Sequence, residues 1–204
     1  MNSATPARPR PQRSDGEQSR ERLLHAALAL FAEHGFAKTS TREIAEAAGT
    51  NLAAISYYFG DKAGLLTAVA TEGFERFIVH LAGALPTDPA DYVENLPAIG
   101  RAYAEFAALH PGQFDVMFRP TMLHASDPAY LEASTAAFEG LRQHIERCQQ
   151  AGWRRDADTL ALTTAAWSLA HGLAVLRNQG SLGIHFPGAT LDGVEAIVAT
   201  LTDG

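Results

Sequence analysis

Apolar residues recur at intervals of three and four along most of this chain, and the strict alternation of a half-buried strand is absent. The pattern predicts an all-α protein. Leu23, Leu24, Ala27, Leu28 and Phe31 mark the inner face of a helix from Ser19 to His34, closed by Gly35, with Phe36 filling the corner behind it. Ser40 and Glu43 have the spacing of a capping box, in which the hydroxyl accepts from the Glu43 amide and the carboxylate accepts from the Ser40 amide. A helix starts there, carries Ile44, Ala45 and Ala48 inward, and stops at Gly49, where the chain can enter a backbone region open cheaply only to glycine. Asn51 is the N-cap of the next helix, Leu52 to Phe59, with Ile55 and Phe59 on one side and Asn51, Ala54 and Tyr58 on another. Asp61 caps a longer helix bearing Leu65, Leu66, Val69, Phe74, Phe77, Ile78 and Leu81, up to Pro86.

The helical pattern continues to the end. Tyr92 to Leu109 places Tyr92, Leu96, Ile99, Tyr103 and Phe106 at helical spacing, and His110 to Met122 is aromatic and Met-rich. Asp127 to Ala151 opens on an Asp-Pro start signal and closes at Gly152. Asp156 to Asn178 holds Leu160, Leu162, Trp167, Leu169, Leu173 and Leu176; a Gly-rich loop, Gln179 to Gly188, then leads to a last helix, Ala189 to Thr202, with Leu191, Val194, Ile197, Val198 and Leu201. Met1 to Gln18 is rich in Pro, Arg, Ser and Gln, and cannot bury enough surface to offset its ordering entropy. The expected organisation is a disordered arm at 1–18, a small DNA-binding domain at 19–66, and a helical regulatory and dimerisation domain at 67–204.

The two short helices are the informative ones. A helix-turn-helix needs small residues where its helices cross and a second helix slim enough at its N-terminal end to enter a major groove. Ala45, Ala48, Gly49, Ala53 and Ala54 meet both needs. The stretch resembles the DNA-binding domain of the TetR family of transcriptional regulators, whose pattern T-x-x-x-I-A-x-x-A-G, then Y-x-F-x-x-K and a Leu pair, is matched by Thr41, Ile44, Ala45, Ala48, Gly49, Tyr57, Phe59, Lys62, Leu65 and Leu66. Thr50 departs from the Val usual there, and its hydroxyl either turns inward or reaches DNA. Farther on, HPGQFDVMF (His110 to Phe118) and AWSLAHGLA (Ala166 to Ala174) resemble the regulatory domain of the TetR subgroup named for its Trp, His and Gly, here Trp167, His171 and Gly172.

The resemblance implies a homodimer that binds a near-palindromic double-stranded operator and responds to a small, mostly apolar effector. It implies phosphate contacts for Tyr57 and Lys62. Thr41 and Arg42 open the first helix of the motif, while Thr50, Asn51, Leu52, Ala53 and Ala54, with Tyr58 beside them, would face the major groove. Asn51 is divided between capping with its oxygen and offering its amide to a base. Tyr103, Phe106, Phe114, Met117, Phe118, Met122, Trp167 and His171 make a plausible effector lining, although core packing explains such residues equally well. The last two helices present apolar stripes with little chain left to cover them, so Leu160, Leu169, Leu173, Leu191, Val194, Ile197, Val198 and Leu201 are expected at a four-helix dimer interface. The fourth helix is the one continuous element expected to join pocket to DNA.

Charge changes the picture only when its distribution is followed. The net charge of -7 argues against nucleic acid, yet residues 1–66 hold eight Lys or Arg against seven Asp or Glu, and the remainder eight against sixteen. Both lysines of the chain, Lys38 and Lys62, flank the helix-turn-helix, so an acidic body leaves one favourable way to dock. Arg8, Arg10 and Arg13 either follow a groove or belong to a solubilising tail. With 47% apolar residues, no apolar run near the length of a membrane span, no signal-peptide core and a lone Cys148, the expected setting is a reducing cytoplasm without membrane partners.

Competing classes fare worse. There is no H-E-x-x-H, no Gly-rich phosphate loop and no G-x-S-x-G, so neither an enzyme nor a cofactor is expected. His144 and Cys148 lie one helical turn apart and can reach one metal ion, with Glu139, Glu146 or another His to complete the shell, but two ligands do not make a site. A helical scaffold leaves the recognition helix unexplained. A transcriptional activator, or a metal- or redox-responsive regulator of the same fold, is the alternative to a repressor.

Overall fold

Capping side chains set most of the helix starts. In a computed structural model, which describes residues 15–86, 88 and 91–185, the helices are α1 (Asp15–His34), α2 (Thr41–Ala47), α3 (Leu52–Phe59), α4 (Lys62–Ala82), α5 (Leu96–Leu109), α6 (Pro111–Met117), α7 (Pro128–Gln150), α8 (Thr159–Asn178) and α9 (Ser181–His185). Among the described residues there is no strand. The Ser40 and Glu43 capping box closes the start of α2, with Glu43 Oε2 accepting from the Ser40 amide at 2.7 Å and Ser40 Oγ from the Glu43 amide at 3.2 Å. Asn51, Asp61, Asp127 and Asp158 cap α3, α4, α7 and α8 in the same manner, each worth about 1 kcal/mol. Gly49, at φ 64°, makes the turn between α2 and α3.

Several boundaries differ from the sequence reading for local reasons. α1 already runs from Asp15, where Asp15 and Glu17 favour the positive end of the helix and Ser19 Oγ donates to the Asp15 carbonyl. Tyr92 stays outside α5, whose first turn contains Pro97. The stretch from His110 to Met122 is not one helix: α6 stops at Met117, and Pro120, which has no amide to continue the ladder, opens a separate 3-10 turn through Met122. The loop expected from Gln179 to Gly188 contains α9. The last helix, with Leu191, Val194, Ile197, Val198 and Leu201, lies outside the described residues.

One continuous apolar core joins the N-terminal helices to the body. Leu23, Phe31, Ile44 and Leu65 belong to the same buried cluster as Phe74, Phe106, Phe114 and Met117. The short α6 is wedged between α1 and α4. A Cβ on Gly112 would lie 2.6 Å from the Phe31 carbonyl, so the backbones of α1 and α6 touch because residue 112 has no side chain. Buried Gln113 donates from Nε2 to the Val69 carbonyl in mid-α4 at 3.0 Å, and Met117 fills the space over Gly73. His124, in the loop before α7, faces Asp61 at 3.3 Å, and its amide donates to Thr67 Oγ1.

α8 is unlike the others. By length and composition it is the one helix among the described residues apolar enough to cross a membrane, yet only 22% of that stretch is buried. Its inner face packs on α5 and α7 through Thr163, Ala170, Leu173 and Ala174. Leu173, expected at a dimer interface, is only 8% exposed and packs against Ala104, and Leu169 is half-buried beside it. Leu160 is 58% exposed, and the open face continues through Thr164, Ser168 and Leu176.

Two glycines should behave oppositely. Gly112→Ala forces α6 off the α1 backbone and should cost about 1 to 3 kcal/mol, lowering the melting temperature by several degrees. Gly140→Ala, in mid-α7 with nothing near the added methyl, should stabilise by roughly 0.5 to 1 kcal/mol. Thermal unfolding followed by circular dichroism reads both, and equal effects would refute the wedge.

Candidate nucleic-acid interface and effector cavity

The second helix of the motif, α3, buries Ile55 and turns Asn51, Leu52, Ala53, Ser56 and Tyr57 outward. Tyr57 is 81% exposed and meets Tyr58 edge-on at 4.8 Å. Ala54 and Tyr58 are half-buried and pack against the core. Ser56, which the sequence reading did not single out, stands on the open face one turn beyond Leu52; helical spacing carried that signal. Thr50 turns inward: its hydroxyl donates to the Ala45 carbonyl at 3.3 Å. Asn51 accepts from the Ala54 amide with Oδ1 at 3.0 Å, which leaves its NH2 as an outward donor. At the flanks, Arg42 is exposed and Thr41 half-buried, while Lys62 donates from Nζ to the Thr39 carbonyl at 2.9 Å, tying the start of α4 to the start of α2. An ammonium has three donors, so Lys62 retains two for other acceptors.

A second feature lies in the body. A partly open cavity of about 1000 Å³ is bordered by α4, α5, α7 and α8, at the large end of the range for small-molecule sites. Tyr103, Met117, Phe118, Trp167 and His171 line it. Phe106, Phe114 and Met122 do not: Phe106 packs between Phe77 and His110, Phe114 is buried behind Tyr103 and Phe118, and Met122 is 37% exposed on its turn. The α4 residues Phe74, Phe77, Ile78 and Leu81 complete the wall, together with Tyr130 and Phe138 from α7. Their spacing identified them as apolar helix faces, but not as faces bordering empty space.

Neutral polar groups are set into this wall. Tyr103 Oη and His171 Nδ1 are 2.8 Å apart; burial pushes the phenol up and the imidazole down, so both stay uncharged at neutral pH. Phe118 packs edge-on against His171 at 4.6 Å, and Trp167 flanks the same ring. His144, 2% exposed, shares an acceptor with Cys148: Nε2 of His144 and Sγ of Cys148 both approach the Tyr92 carbonyl, at 3.2 and 3.4 Å. A carbonyl only accepts, so the imidazole proton sits on Nε2. Burial lowers the His144 pKa and raises that of the Cys148 thiol to about 11. At the far end, in the α7–α8 turn, Arg154 has a left-handed φ of 39° and lies over the Trp153 ring at 5.6 Å.

Comparison with known proteins places this geometry. Residues 23–69 match the model for bacterial regulatory proteins of the tetR family, and residues 96–201, half of the chain, match the tetracyclin repressor-like C-terminal domain. The chain belongs to the TetR family. Its helix-turn-helix is 56% identical over 55 residues to the HTH-type transcriptional dual regulator CecR of Shigella flexneri, covering 27% of this chain and 24% of that protein. The TetR-family likeness extends further, at 23% identity over 146 residues, to the probable acrEF/envCD operon repressor of Escherichia coli strain K12, covering 69% and 66% of the two chains. A solved structure of a protein of unknown function from Rhodococcus sp. RHA1 superimposes with a TM-score of 0.77 at 27% identity, over 91% of this chain and 94% of that one. The stretch shared with CecR is thus about a quarter of that relative's length.

The buried imidazoles give this TetR-family fold a pH dependence. His110, His144 and His171 are all held below the 6.5 of a free imidazole, chiefly by desolvation. As pH falls below 6.5 the unfolded chain takes up these protons before the folded one, so stability declines on the acid side of that value. The melting temperature should drop between about pH 7.5 and about pH 5.5, and His144→Gln should flatten that drop. An unchanged slope in the variant would count against a buried neutral His144.

Proposed function

We propose that this chain is a ligand-responsive transcriptional repressor, of the subgroup resembled by Trp167, His171 and Gly172, that binds a near-palindromic DNA operator as a homodimer. A small, mostly apolar effector entering the cavity releases it, in the cytoplasm and without a membrane partner. The observation that carries the reading is that α6 ends at the cavity with Met117 and Phe118 and begins with Gly112 against α1. α4 is therefore not alone in joining pocket to DNA; α6 is a shorter second path. The repressor named among the relatives supports repression, and the dual regulator keeps activation as the alternative.

One recognition helix reads too few base pairs to be selective, and two-fold pairs place theirs about 34 to 36 Å apart or a multiple of it. The exposed face of α8 supplies half of a pairing surface, and a four-helix arrangement with the last helix would cover it. Asn51, Leu52, Ala53 and Ser56 read bases, and Arg42, Tyr57 and Lys62 hold phosphates.

The test is reciprocal. An effector that lowers operator affinity by about 5- to 150-fold must itself be bound more weakly by the same factor in the presence of operator. Phe118→Ala should weaken effector binding while leaving effector-free operator binding within about twofold. Lys62→Ala should weaken all DNA sequences and reduce the salt slope by about one unit, whereas changes at Asn51 or Ala53 should shift base preference by ~1 to 3 kcal/mol per affected pair. Leu160→Asp should yield monomers by sedimentation. A ligand bound equally with and without operator is not the effector, and if all ligands behave so, the coupling through α6 is wrong.

A further inference from the structure

The charges bordering the cavity restrict what can occupy it. No Asp or Glu is among its lining residues, and of the lining side chains only Arg154 carries a permanent charge. A lipophilic cation would find aromatic faces but no countercharge, while an anion finds one guanidinium at one end. Arg154 is exposed, among the described residues it joins no ion pair, and its planar group lies over Trp153, which lines the same cavity. The turn holds it there: Gln149 Nε2 donates to the carbonyls of Arg154 and Ala157, and the chain accepts a left-handed φ at residue 154 without glycine. The cavity is also elongated. Along α7 it is bordered from Tyr130 to Ile145, a rise of fifteen steps or roughly 22 Å at 1.5 Å per residue. Its opposite end, at Tyr130, is lined by the apolar side chains of Phe74, Met117 and Phe118.

From these features we infer that the effector is an elongated amphipathic anion, whose carboxylate or phosphate head is held by Arg154 at the α7–α8 turn and whose apolar tail runs along α7 to Phe118. This deepens the effector reading of the cavity and rests on it. A guanidinium takes either head through paired N–H donors, and its position at the rim lets the head keep part of its hydration while the tail is desolvated. The tail's far end then presses on Met117, the last residue of α6, and on Phe118 directly after it, while Gly112 at the other end of α6 meets α1. Chain length therefore sets whether binding is felt at α6.

The test uses the full chain and four probes with one tail: dodecanoate, dodecyl phosphate, dodecanol and dodecyltrimethylammonium. Calorimetry, with Trp fluorescence as a second readout, should rank the two anions above the alcohol and the cation. Arg154→Gln should weaken the anions by about tenfold or more and leave dodecanol within about twofold. Arg154→Lys should restore part of the loss, and Arg155→Gln, an exposed neighbour that does not line the cavity, should change nothing. Dodecanoate preferred over dodecyl phosphate assigns a carboxylate head, and the reverse a phosphate head. Dodecanol binding as tightly as the anions, or anion affinity indifferent to Arg154→Gln, overturns the inference. In that case a tight neutral ligand that still releases operator leaves the effector reading intact, whereas no ligand of any charge affecting operator binding removes both.

Discussion

The close approach of α6 to the backbones of two other helices is the constraint on which the rest depends. A seven-residue helix has too little surface to hold its own position. It is fixed because Gly112 admits the α1 backbone, Gln113 bonds to a mid-α4 carbonyl, and Met117 covers Gly73. Interiors packed this densely do not deform continuously, so a displacement of α6 must be passed on to α1 and α4. The recognition helix sits against those same two helices, through Ile55 in the common core and through Arg20 over the Phe59 ring. The shared core thus packs the helix-turn-helix and the body together as one cluster.

The cavity is the counterpart of that rigidity. Its wall is built from helix faces that meet neighbours elsewhere along their length, and it is open where α4, α5, α7 and α8 diverge. Burial keeps Tyr103 and His171 neutral and bonded to each other, so the interior carries a polar pair without a net charge. Charge is confined to the rim, at Arg154. The lining is thus mostly apolar inside and charged only at one end.

Charge asymmetry works at a larger scale in the same sense. The remainder of the chain after residue 66 is acidic, with sixteen Asp or Glu against eight Arg, and both lysines flank the motif. Lys62 fastens α4 to the start of α2 through the Thr39 carbonyl, which uses one of the three donors of its ammonium.

The sequence by itself determined the helices, the caps and the reading motif, because these depend on residues within one or two turns of each other. Ser40 with Glu43, Asn51 with Ala54, and Gly49 in the turn are local pairings, and local chemistry is legible in order along the chain. Breaks such as that at Pro120 were legible in principle, since proline interrupts a helix wherever it falls. What only the tertiary structure decided was which apolar faces meet one another and which border a void. Phe114 and Phe118 are one helical turn apart and equally apolar, yet one is sealed in the core and the other lines the cavity, because divergence of distant helices is not written in either residue's neighbours. Leu173 and Leu160 divide in the same way, one taken by Ala104 of α5 and the other left open. The sharing of the Tyr92 carbonyl by His144 and Cys148 likewise depends on where a separate segment comes to lie, which spacing along one helix cannot specify.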